Sequence, residues 1–117
     1  MPKKLTTRDC SRVQENRVAW KFDGIVNSNS GAGRFEKSDV RVDEASLSLE
    51  CKTTMTPKDS FTIKKEWLEK HQQEAWSNRL ANSVIVFNFD YQDSHDYYVI
   101  DDKLMTFLVE KLKEEYK

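Results

Sequence analysis

Glu50 and Lys52 stand one residue apart in Leu47-Ser-Leu-Glu-Cys-Lys52, where apolar Leu47, Leu49 and Cys51 alternate with polar Ser48, Glu50 and Lys52. Alternation of this kind belongs to a half-buried β-strand, whose successive side chains face opposite ways, so the carboxylate and the ammonium leave one face as neighbours. A second acid, Asp39, opens another alternating run, Asp39-Val-Arg-Val-Asp43. If the two runs pair, Asp39 and Glu50 converge on one hard cation, with the main-chain carbonyl of Cys51 as a possible third oxygen ligand. Carboxylates that hold Mg²⁺, beside an amine that orients water and offsets developing charge, are the parts that phosphodiester cleavage needs.

The same Glu-x-Lys pattern also occurs on solvated sheet faces, where opposite charges serve solubility, so the pair alone does not fix a function. Gly31-Ala-Gly33 lacks the lysine and the strand-to-helix setting of a nucleotide-binding loop. Asp90, Asp93, His95 and Asp96 do not follow the spacing of a calcium loop and are expected in a solvated hairpin turn. His71 falls on the apolar side of a helical pattern, where packing is the ordinary role of histidine. Core packing is also expected for at least two of Trp20, Trp67 and Trp76.

The elements that must position these residues follow from period and punctuation. Thr6 with Asp9 forms a capping-box pattern, and Cys10, Val13, Val18, Ala19 and Trp20 share one side of a helix predicted over Thr7 to Lys21. Residues 27–38 are small and polar without periodicity and read as a mobile loop. Two strands follow, joined by a turn near Glu44 and Ala45. Beyond Pro57, the spacing of Ile63, Trp67, Leu68, His71, Ala75 and Trp76 predicts a helix from Thr62 to Arg79. Ser83 to Phe89 reads as a strand covered on both faces and Tyr97 to Ile100 as another, both at or near the sheet centre. Asp101 or Asp102 caps a last helix with the stripe Leu104, Phe107, Leu108 and Leu112. The class is α/β (α+β): a central mixed sheet flanked by helices.

With 117 residues, one domain spanning the whole chain is expected. A third of the residues are charged, with few glycines and prolines, which excludes disorder along the whole length. No apolar run suits a membrane span and the start lacks a secretory pattern, so the chain is expected in the cytoplasm with no membrane partner. Cys10 and Cys51 are expected as free, buried thiols. The net charge of -1 gives no global attraction for nucleic acid, so contact with DNA needs local basic groups or bound cations. Lys64, Lys65, Lys70 and Arg79 on the second helix, with Arg34 and Lys37 in the loop, are the candidates for phosphate contact, although such lysines equally form a solvated face. Ser30 and the backbone at Gly31 are further candidates, with a merely solvated loop as the other reading.

Five features occur together in order: Glu15 in the opening helix, Asn29-Ser-Gly-Ala-Gly33, Ser38-Asp39-Val40, Leu49-Glu-Cys-Lys-Thr-Thr54, and Ser60-Phe-Thr-Ile63 followed by the helix with Trp67, Leu68 and Ala75. In these the chain resembles the PD-(D/E)xK nucleases, and within them the archaeal-type Holliday-junction resolvases and their phage relatives, over roughly residues 10 to 90. Ser38 departs from the family pattern, which has proline there. The resemblance implies a restriction-endonuclease-like fold and Mg²⁺-dependent cleavage of DNA, with branched DNA as substrate, Mn²⁺ able to replace Mg²⁺, and a homodimer facing two equivalent strands. It further implies that Asp39 and Glu50 bind the metal, that Lys52 acts on the attacking water and that Glu15 assists as an additional acid. The rival expectations are a module of the same fold that binds DNA or a protein without turnover, and a nuclease of the same chemistry acting on other DNA structures.

Overall fold

The computed structural model describes residues 4–27 and 38–117. The expected phosphate contacts Ser30, Gly31, Arg34 and Lys37 and most of the expected loop lie outside the described residues.

Helix α1 (Thr7–Phe22) starts at a complete capping box: Thr6 Oγ1 accepts from the Asp9 amide at 3.1 Å and Asp9 accepts from the Thr6 amide at 2.9 Å. Its buried side is Cys10, Gln14, Val18 and Ala19. Val13 and Trp20, expected on that side, are exposed, and Gln14 takes the inner position because it serves carbonyls at the ends of two strands. Asp23 ends the helix in the left-handed region. Gly24 then lets the chain pass close to its neighbour, since a Cβ there would lie 2.8 Å from the Arg41 carbonyl.

Strand β1 (Ile25–Val26), unexpected because two residues carry no periodicity, pairs antiparallel with β2 (Val40–Val42). A 3-10 turn at Asp43–Ala45 and left-handed Ser46 lead into β3 (Leu47–Lys52), antiparallel to β2. Helix α2 (Lys65–Ser77) crosses over to β4 (Asn82–Phe87), which runs parallel to β3. Strand β5 (Tyr97–Val99) returns antiparallel to β4, and α3 (Asp102–Glu115) follows, capped by the Asp101 carboxylate on the Leu104 amide at 2.9 Å. Among the described residues this gives an α+β arrangement: a five-stranded mixed sheet in the order β1-β2-β3-β4-β5, flanked by three helices.

Three expectations are corrected. Strand β5 lies at the sheet edge rather than the centre, and only β4 has the consecutive buried run of a covered strand. Helix α2 begins at Lys65, not Thr62, with no side-chain cap. Trp20 (87% exposed) and Trp76 (58%) are not core residues, because both fall on the outer sides of their helices.

The alternation in β3 sorts the two faces. Val40, Leu49, Cys51, Val84 and Val86 pack with Val18 and Ala19 of α1 into the core, and Leu104 of α3 leans on the same cluster. Cys10 and Cys51 are free and buried, as expected. The opposite face carries Ser48, Glu50, Lys52 and Ile85 beneath α2.

Candidate metal centre at the end of strand β3

Asp39 directly precedes β2, and continuing the β2–β3 register sets it opposite Glu50. Directly opposed residues of antiparallel strands point to the same face, so both carboxyl groups and Lys52 share one side of the sheet. The Asp39 Oδ2 accepts from the Cys51 amide at 2.8 Å, and the Asp39 and Glu50 carboxyl groups are near enough to perturb each other electrostatically. Lys52 Nζ lies 3.8 Å from Glu50 Oε1 and 4.4 Å from the centre of the Trp67 ring, which steers the ammonium towards the acids. The three residues expected to form the centre are thus brought together.

Burial makes this arrangement electrostatically costly. It pushes Glu50 up to about 8, with the nearby Asp39 charge adding to the shift and Lys52 opposing it. Asp39 is also raised by burial, against the Cys51 amide that pulls it down. Burial and the neighbouring Asp39 charge thus favour the protonated form of Glu50 in the absence of a cation. Glu15 approaches from α1: burial first, and then the Asp39 charge, push it up to about 7. A divalent cation is the other way to offset such a cluster, and an all-oxygen carboxylate set fits a hard ion. Burial drives the Cys51 thiol well above its usual value, so its sulfur stays protonated and takes no part as a ligand.

The segment before Asp39 is tied down by serine. Ser38 and Ser48 are fully buried, and their hydroxyls hydrogen-bond to each other across β2 and β3. A proline at position 38 would lack that bond, so Ser38 anchors the start of β2 through its side chain rather than through ring rigidity.

Two residues not expected at the site complete it. His71 is buried at 3% exposure, with Nε2 at 3.0 Å from the Ser48 carbonyl, so Nε2 carries the hydrogen. Burial keeps the ring below its usual pKa and neutral. Its Nδ1 then faces Glu50 Oε2 at 3.6 Å and Glu74 Oε2 at 4.0 Å, without a hydrogen-bond partner. Glu50, Lys52, Trp67, Lys70, His71 and Glu74 line a cleft of about 290 Å³. The expectation of a packing histidine holds for burial and misses this environment. The i,i+3 spacing of His71 and Glu74 was a usable signal, because it places both on one helix face.

Of the remaining candidates, Lys64 lies 5.6 Å from the Trp67 ring centre, on the rim of the site, and Lys65 pairs with Glu69 at 3.6 Å in solvent. Asp96 leaves the expected solvated turn. It is buried and accepts two bonds from Arg17, at 2.9 and 2.7 Å, and one at 3.1 Å from Asn88, which follows β4, so it ties α1 to the end of that strand. Asp90 and Asp93 do cap exposed turns, accepting from the Gln92 and His95 amides. No family model, curated protein or solved structure matches the chain.

Proposed function

We propose that the protein is a metal-dependent DNA endonuclease of the PD-(D/E)xK type, with a restriction-endonuclease-like fold, that cleaves branched DNA. The observation that carries this reading is the meeting of Asp39 and Glu50 across paired strands, with Lys52 on the same face and its Nζ 3.8 Å from Glu50 Oε1. Asp39 and Glu50 hold Mg²⁺, or Mn²⁺ in its place, with the Cys51 carbonyl as a further oxygen ligand. The ion supplies Lewis acidity towards the scissile phosphate.

The chain's own groups do the rest. Lys52, held by Trp67 and Glu50, orients the attacking water and offsets charge on the phosphate. Glu15, with a pKa of about 7, takes or returns a proton beside Asp39 near neutral pH. Lys70 in the cleft lining and Lys64 beside Trp67 contact the DNA backbone, with Lys65, Ser30, Gly31, Arg34 and Lys37 as further phosphate-contacting candidates. Contacts of this kind read the shape of the DNA backbone rather than base edges. A homodimer would match the two equivalent strands of a junction, and the exposed apolar residues Phe107, Leu108 and Leu112 of α3 supply a surface for it. The setting is the cytoplasm of a bacterial, archaeal or phage-infected cell.

The test is cleavage of a labelled four-way junction with Mg²⁺, run beside duplex and single-stranded DNA. Asp39→Asn, Glu50→Gln and Lys52→Ala should each lose on the order of 100-fold or more in rate while remaining folded. Undiminished cutting by all three variants contradicts the assignment. Junction binding without cutting by the wild type would favour the non-catalytic module, and preference for another DNA form would move the substrate while keeping the chemistry.

A further inference from the structure

We infer that Glu50, His71 and Glu74 form a second cation site, one that takes a borderline divalent ion of the Zn²⁺ class and shares Glu50 with the Asp39 centre. The ligand atoms of these three residues lie within 4.8 Å of one another, and they are the group of this kind among the described residues. Tetrahedral Zn²⁺ bonds of about 2.0–2.2 Å set ligand atoms roughly 3.3–3.6 Å apart. The 3.6 Å from His71 Nδ1 to Glu50 reaches that range, and the 4.0 Å to Glu74 exceeds it by a small side-chain rotation.

The independent observation is the histidine itself. Its Nδ1 is buried without a hydrogen-bond partner, and unpaired polar atoms in protein interiors are costly. The Nε2–H is spent on the Ser48 carbonyl, which directs the Nδ1 lone pair towards the carboxyl groups of Glu50 and Glu74. At 3.6 and 4.0 Å neither carboxyl group hydrogen-bonds to Nδ1, and a cation drawn between the three satisfies the nitrogen and both acids at once. A backbone carbonyl on the far nitrogen is also the usual means of fixing the tautomer and ring plane of a metal-binding histidine.

Donor chemistry separates this site from its neighbour. Asp39 and Glu50 offer oxygen only and suit Mg²⁺, whereas an imidazole with two carboxylates suits Zn²⁺ or another first-row transition ion. The fourth position opens into the cleft beside Lys52 and Lys70, where water or a phosphate oxygen completes the shell.

The probe is Co²⁺, titrated into the full-length, metal-free and DNA-free protein and followed by the visible absorption of bound Co²⁺, with Zn²⁺ as competitor. Wild type should develop the bands and lose them to Zn²⁺. Glu74→Gln should weaken binding by about ten-fold or more and His71→Gln should abolish it, while Asp39→Asn keeps it. Absence of the bands in wild type, unchanged binding in Glu74→Gln, or loss in Asp39→Asn with retention in Glu74→Gln would each overturn the site. Circular dichroism checks folding. If His71→Gln does not fold, Glu74→Gln decides, because its side chain reaches solvent at 17% exposure. No DNA is involved, so failure here leaves the Mg²⁺-dependent cleavage test intact, and failure of that test leaves this site standing.

Discussion

The two faces of the sheet are made by alternate residues of the same strands and serve opposite ends. On one face Leu49, Cys51, Val84 and Val86 meet α1 in an apolar cluster. On the other, one residue along, Ser48, Glu50 and Lys52 meet α2 through His71, with Asp39 alongside. The first face gains free energy from burial. The second spends some of it, holding carboxyl groups raised to about 7 and about 8 and an unpaired ring nitrogen in partial burial. A single strand can carry both because its side-chain period of two isolates them, and polar substitutions on one face leave the other intact.

Breaking the comparison on its apolar side should give the largest stability change. Leu49→Ala removes a side chain only 1% exposed and should cost about 2–5 kcal/mol in urea unfolding, while a divalent ion still stabilises the variant. Loss of the metal response without loss of stability would show that the two faces are not separate in this way.

The polar side should respond to pH in the reverse sense to an ordinary paired carboxylate. Glu50 is raised from 4.5 to about 8 and Glu15 from 4.5 to about 7, so the native state binds more protons than the unfolded chain between those values. The stability from these protons is complete below pH 4.5 and drains away as pH rises towards 8. Urea midpoints of the metal-free protein should fall over that window, and Glu50→Gln should flatten the fall. A midpoint that rises from pH 5 to 8 contradicts the assignment of these acids.

Smaller effects mark the borders between the faces. Gly24→Ala brings a Cβ within 2.8 Å of the Arg41 carbonyl and should cost about 1–3 kcal/mol by forcing β1 from β2. Thr6→Ala removes one half of the capping box and should cost about 1 kcal/mol, read as a shift in the melting midpoint with no change in metal response.

Much of this was legible in the sequence because it is periodic or local. The alternation of Leu47 to Lys52 sets the facing of Glu50 and Lys52, the Thr6 and Asp9 pair marks the start of α1, and of the two candidate caps of α3, Asp101 and Asp102, the first is the one used. What was missed depends on partners distant in the chain. Helical spacing reports that His71 turns inward but not that the strand beneath it presents Ser48 and Glu50. Asp96 looks like a turn residue until Arg17, 79 positions earlier, is found beside it. Trp20 and Trp76 lie outside the core because aromatic character alone does not fix the side of a helix that packs, and Gln14 holds an inner place in α1 because distant strand carbonyls need its amide.

The most direct measurement is Mg²⁺-dependent unfolding of the DNA-free protein near pH 8, for wild type and Asp39→Asn together. Mg²⁺ at 100 times its dissociation constant should stabilise wild type by about 2.7 kcal/mol and leave Asp39→Asn nearly unmoved. No Mg²⁺ response in wild type, or an equal response in the variant, would contradict the claim that Asp39 and Glu50 hold the ion.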